Sequence, residues 1–143
     1  MAIKLSTGLR NAAADGIGNA MDTTGRISIY SGAPPADPQT AASGVLLATL
    51  TMAADAFGVA ATGAIAAGAI TGDTSADATG TAGWFRMYKT VDTAPGLAGV
   101  AADKRIDGTV TATAGGGDIT FDSVSFVAGG AINMTGFTLT VPQ

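Results

Sequence analysis

The sequence predicts an all-β protein, an antiparallel β-sandwich preceded by a short N-terminal helix. Three observations carry that prediction. Apolar and polar side chains alternate at period two from Arg26 to Val141, the helical spacing of apolar residues stops near Met21, and glycine or aspartate turns separate the alternating runs. A chain of 143 residues fits one domain, able to bury roughly two-thirds of the surface its unfolded chain exposes. The expected organisation is a single domain overall, with residues 1–25 as an N-terminal helix or arm and residues 26–143 as the β-sandwich.

Leu5, Leu9, Ala13, Ile17 and Met21 recur every four residues, with Ala12 and Ala20 beside them, which is a slanted ridge on a helix. Ser6 and Thr7 are N-cap candidates. Gly16 and Gly18 fall inside the pattern, and each costs about 1 kcal/mol relative to alanine in a helix interior. The expectation is a short helix near residues 6–14 and an irregular passage to Gly25. Arg26 to Ser31 then alternates, with Ile27 and Ile29 on one face. Gly32 to Pro38 is a loop, because consecutive prolines remove backbone donors from any ladder.

Val45 to Met52 reads as a strand with Leu46, Ala48, Leu50 and Met52 inward, and Thr49 and Thr51 outward. Phe57 to Ala67 reads as another, with Phe57, Val59 and Ile65 on one face. Trp84 to Lys89 sets Phe85 and Met87 against Trp84, Arg86 and Tyr88. Arg105 to Thr113, Ile119 to Val127 and Phe137 to Val141 complete the set. Jelly-roll and immunoglobulin-like topologies both stay open here, since strand order is not written in periodicity.

Composition excludes more than it includes. The chain has no histidine, no cysteine and no glutamate, against 11 aspartates, 7 lysines and arginines and 21 glycines. Histidine, glutamate and cysteine are the side chains most readily tuned for proton transfer, nucleophilic attack and transition-metal binding. A net charge of -4 argues against nucleic acid as a partner. Charged residues are 13% of the chain, about half the usual share, which suggests a surface partly covered by copies of itself or by a partner. No export signal is visible in Met1 to Asn11. The uncharged run from Ala56 to Gly72 is too short and too rich in alanine and glycine to span a bilayer, so a soluble chain without a membrane partner is expected.

Local motifs fail on inspection. Asp73 to Asp77 begins like a calcium loop, but the positions needing glycine and a bidentate acid are Ala78 and Trp84. Gly16-Ile17-Gly18 lacks the third glycine and the preceding strand of a dinucleotide fingerprint. Gly115-Gly116-Gly117 has no following lysine and reads as a flexible hairpin connection. Asn133-Met134-Thr135 is a formal glycosylation sequon without the export that would give it meaning. No hydrolytic triad can be assembled without histidine. Neither a serine–lysine pair nor two selected aspartates stand out from turn residues. No enzyme, cofactor or metal is expected.

Two groups of residues are candidate interfaces. Trp84, Arg86 and Tyr88 share one face of a strand and belong to types enriched at interface hot spots. The competing reading buries Trp84 at the core and pairs Arg86 with Asp107. Ile3, Lys4, Leu5, Leu9 and Arg10 form a basic, apolar arm suited to reach a neighbour, unless Leu5 and Leu9 instead cover an open edge of the core.

Four blocks taken in succession resemble a family of small bacteriophage virion proteins. These are Met1 to Asn11; Ile29 to Asp37 followed by Gly44 to Leu50; Asp73 to Arg86; and Ile106 to Val110 together with Phe137 to Pro142. The resemblance implies a head decoration, or cement, protein with a jelly-roll-like β-sandwich that binds the outer capsid surface and stabilises the shell. It is then made in the cytoplasm of the bacterial host. The implied partners are the major capsid protein and copies of the chain as a dimer or trimer. A phage tail subunit (tube, terminator or fibre-associated) is the alternative, and a virion-borne glycan hydrolase a distant third. The family carries no known catalytic residues, so none are transferred.

Overall fold

The computed structural model describes residues 3–142, so Met1, Ala2 and Gln143 of the terminal segments lie outside the described residues. Among the described residues one helix, α1 (Thr7–Met21), precedes nine strands: β1 (Gly25–Ser31), β2 (Leu46–Met52), β3 (Ala64–Ala66), β4 (Ile70–Thr71), β5 (Gly80–Lys89), β6 (Ile106–Ala112), β7 (Ile119–Phe121), β8 (Ser125–Phe126) and β9 (Thr138–Thr140). With 35% of residues in strands and 11% in helix, the protein is mainly β with one N-terminal helix, as the alternation requires.

A seven-stranded sheet runs β4-β2-β1-β5-β6-β7, with β8 added alongside β5, and β3 and β9 form a separate pair. β1 and β5 are central. Their register sets Ile27 opposite Met87, Ile29 opposite Phe85, Ser28 opposite Arg86 and Tyr30 opposite Trp84. Opposed residues share a face, so one face is apolar and the other mixed polar and aromatic. The apolar face, with Leu50 and Met52 of β2, joins Ile65 of β3 and Ala14 and Met21 of α1 in one core cluster. A register shift between Ile29 and Tyr30 interrupts the alternation on β2. Leu47, outside the expected inward set, is fully buried.

The expectation of antiparallel pairing throughout fails at one step: β6 and β7 run parallel, from Val110 beside Ile119 to Ala112 beside Phe121. Parallel neighbours usually need a crossover of about a dozen residues or more. Here the three-glycine run, expected as a hairpin connection, folds the chain back over Thr111. A Cβ on Gly115 would stand 2.7 Å from Thr111 Cβ, and one on Gly117 would stand 2.8 Å from Thr111 Oγ1. The Gly117 N–H donates to that Oγ1 at 2.9 Å. Ala114 and Gly116 take φ of 72° and 76°, so a very short connection can reverse and re-enter the sheet.

The helix is longer than expected and turned to a different face. It starts where predicted, with Ser6 as N-cap accepting the Leu9 N–H at 3.3 Å, but continues through both glycines. Its buried residues are Arg10, Ala14, Gly18 and Met21. Of the expected leucine-led ridge only Met21 is buried, and Leu9 is 56% exposed. The cause is polar as well as steric. Asn11 and Asp15 accept the N–H groups of Gly63 and Ala60 at 2.7 Å each, and Asp22 accepts that of Ala56 at 2.9 Å. Gly18 then lies where a Cβ would be 3.3 Å from Phe57 Cβ, a spacing that leaves no room for a leucine.

The expected single strand from Phe57 to Ala67 is instead a hairpin turned at Thr62 and Gly63, which take φ of 53° and 81°. Ala61 and Ala64 exchange backbone bonds at 2.9 Å, and the Gly58 N–H donates to the Ala66 carbonyl at 2.9 Å, while Ala60 and Gly63 turn their N–H groups to the helix. Phe57 and Ile65 are buried as expected, whereas Val59 is 89% exposed.

Candidate functional site

The polar face of β1 and β5 was the first candidate, and it is closed. Trp84 and Arg86 have no exposure and Tyr88 little. Two irregular loops, residues 32–45 and 90–105, lie over them. Arg86 joins the layers: its Nε and Nη2 donate to the two carboxylate oxygens of Asp107 at 2.8 and 2.7 Å, and its Nη1 donates to the carbonyls of Thr40 and Pro95 at 2.9 Å each. Its guanidinium carbon also sits 5.4 Å from the Trp84 ring centroid. Trp84 in turn stacks on Tyr30, with centroids 4.6 Å apart and planes at 15°. Burial pushes the Tyr30 hydroxyl pKa up from its ordinary value.

Arg105 repeats the device at the outer layer, donating to the carbonyls of Pro38, Thr93, Ala94 and Leu97. The Gly99 N–H joins the loops directly through the Gln39 carbonyl at 2.7 Å. The contact surface expected of Trp84, Arg86 and Tyr88 is therefore occupied by the protein's own loops. The competing reading, with Arg86 paired to Asp107, is the arrangement present. Arg105 and the loop carbonyls were not singled out from sequence. Their only signal was two proline-containing stretches of a length that must lie on something.

The arm residues divide. Ile3 is 87% exposed, Lys4 and Leu9 are exposed, and Leu5 is half-buried. Arg10, expected among them as a free cation, is buried. Its Nε donates to the Val141 carbonyl at 2.8 Å, and its guanidinium lies over Gly63, where a Cβ would be 2.4 Å from Cζ.

Open depressions also mark the surface, and two of them bear on the candidate residues. One, of about 540 Å³, lies between α1 and residues 55–59, with Asp15, Asp22 and Asp55 on its wall. Asp15 and Asp22 already accept the backbone bonds that seat the helix. The other, of about 300 Å³, lies between β6 and β9. It is lined by Phe85, Ile106, Asp107, Gly108, Asp118 and Phe137 to Thr140. Phe85 and Phe137, 6.2 Å apart by ring centroids, form its floor. Gly108 matters to that floor, because a Cβ there would meet the Phe85 ring at 2.5 Å. Asp118 accepts the N–H and hydroxyl of Thr109 at 2.8 Å each, and these bonds hold its carboxyl below the usual carboxylate pKa.

Asp73, of the failed calcium loop, accepts the N–H groups of Thr49 and Ser75 at 2.9 Å. Among the described residues no group of three acidic or other metal-ligating side chains is placed to hold an ion. No described helix is long and apolar enough to cross a membrane. Comparison finds no matching protein family, no matching curated protein and no matching solved structure.

Proposed function

We propose that this protein is a non-enzymatic decoration, or cement, protein of a bacteriophage head, binding the outer surface of the assembled shell. The observation that carries the reading is the contrast between a closed interior and an apolar exterior. The buried arginines are committed to carbonyls or to Asp107. Meanwhile Ile3, Val59, Val91 and Val127 stand 87%, 89%, 78% and 63% exposed, on a chain with few charges. Such a surface suits burial against a lattice more than free life in solution. The resemblance of the four sequence blocks supplies the head assignment and the jelly-roll-like sandwich. The core cluster shared by the large sheet and the β3–β9 pair is consistent with two-layer packing, whereas the seven-stranded sheet and its parallel β6–β7 step depart from the jelly-roll pattern.

A cement protein binds the assembled lattice in preference to the free subunit, so by mass action it stabilises the shell by RT ln(1 + [L]/Kd) per site. The test is the stoichiometry of the chain in purified particles. A copy number in fixed proportion to the major capsid protein supports the reading. A copy number matching a tail structure, or absence from particles, overturns it.

A further inference from the structure

The depression between β6 and β9 is bounded by the edge of β9 that faces away from β3 and by the first residues of β6, ahead of the stretch that pairs with β7. On β9, the Phe137 carbonyl accepts the Ala67 N–H and the Val141 N–H donates to the Gly63 carbonyl, both at 2.8 Å. In an antiparallel ladder one residue's N–H and C=O point the same way. Phe137, Leu139 and Val141 thus turn toward β3, and Thr138 and Thr140 turn their backbone groups into the depression. On β6, the Thr109 N–H points away from β5 to Asp118. Asp107, two residues earlier, therefore presents its own N–H and C=O on that side, where no strand pairs with it. Between these edges lies the aromatic floor of Phe85 and Phe137. Asp118 stands on the wall with no cation in ion-pair reach among the described residues.

The same chain carries a segment with complementary features. No backbone hydrogen bond joins Ile3, Lys4 or Leu5 to another described residue. In extended form Ile3 and Leu5 face one way and Lys4 the other. No acid occurs from Ile3 to Ala14. The helix that follows packs on β3, and residues 3–5 do not line their own chain's depression, which leaves it open to the segment of another chain.

We propose that the depression between β6 and β9 receives the Ile3–Leu5 segment of a second copy as an added strand. Ile3 and Leu5 cover Phe85 and Phe137, Lys4 faces Asp118, and the backbone pairs with Thr138, Thr140 and Asp107. Edge pairing supplies main-chain bonds and the aromatic floor supplies selectivity. The contact does not rest on the virion assignment, since it forms between free chains.

Because the protein has no cysteine, two exposed single substitutions test it directly. A mixture of the Lys4→Cys and Thr138→Cys chains, oxidised, is expected to give a cross-linked heterodimer. A chain carrying both substitutions is expected to link between molecules. Linkage only within one molecule, or none, overturns the proposal. Sedimentation of the full chain is expected to show self-association that Ile3→Asp weakens by about tenfold or more, with the melting temperature unchanged at concentrations where both chains are monomeric. A protein that stays monomeric up to its solubility limit, or an association that Ile3→Asp leaves intact, also overturns it.

Discussion

Arg86 shows how much a single side chain can decide. It is fully buried, spends its donors on Asp107, Thr40 and Pro95, and thereby fixes two loops to the sheet. Replacing it with alanine strands a largely buried carboxylate and two carbonyls. The expected loss is about 3–5 kcal/mol, measured by denaturant unfolding. Asp118 acts at the mouth of the β6–β7 turn in a pH-dependent way. Its folded pKa is depressed by the Thr109 backbone bond and then by the Thr109 hydroxyl. The stability it contributes is therefore present above the unfolded carboxylate pKa and lost as pH falls through the lower folded value. Acid titration of the melting temperature should show a shallower decline in Asp118→Asn than in the parent, and equal slopes would count against this bond.

At the scale of elements, the two helix glycines make opposite predictions. Gly16 is exposed, and a Cβ there meets nothing within 4 Å. Gly16→Ala should therefore stabilise the protein by roughly 0.5–1 kcal/mol through helix propensity alone. Gly18 faces Phe57 and Ile65, so Gly18→Leu should overpack the contact and cost about 1–3 kcal/mol. Paired thermal melts check both, and the same sign for the two would mean that α1 does not dock on this face. The helix also changes what truncation should do. Among the described residues, Ile3, Lys4 and Leu5 are not part of the core cluster, so removing residues 1–5 should leave the melting temperature of the unassociated chain unchanged. Removing residues 1–11 takes away Arg10 and Asn11, and with them the bonds to Val141 and Gly63. That should lower it.

Across the whole molecule, residues of the large sheet, α1, β3 and β9 share one core cluster. Phe85 links them, belonging to the core cluster and standing 6.2 Å from Phe137 by ring centroids. Phe85→Ala should cost about 3–5 kcal/mol and also open the floor of the depression beside β9, weakening self-association. The complete burial of Trp84 against Tyr30 and Arg86 predicts that Trp84→Ala loses stability comparably to Phe85→Ala.

What the sequence determined by itself is the part governed by local periodicity. The mainly β class, the Ser6 cap, the positions of β1, β2, β5, β6 and β9, and the inward set of Ile27, Ile29, Phe85 and Met87 were legible, because alternation of side chains reports directly which face meets an apolar layer. Tertiary structure alone decided the rest. A backbone N–H of Ala56, Ala60 or Gly63 leaves no trace in a hydropathy pattern, yet its bond to Asp22, Asp15 or Asn11 seats the helix on this face, and the turn at Thr62 and Gly63 folds an expected strand into a hairpin. The parallel step at β7 depended on how a glycine run packs over Thr111. The face of Trp84, Arg86 and Tyr88 had the residue types of a contact surface in either event. Whether a partner or the chain's own loops covered it was settled by distant carbonyls at Thr40 and Pro95, groups that every residue carries and no sequence distinguishes.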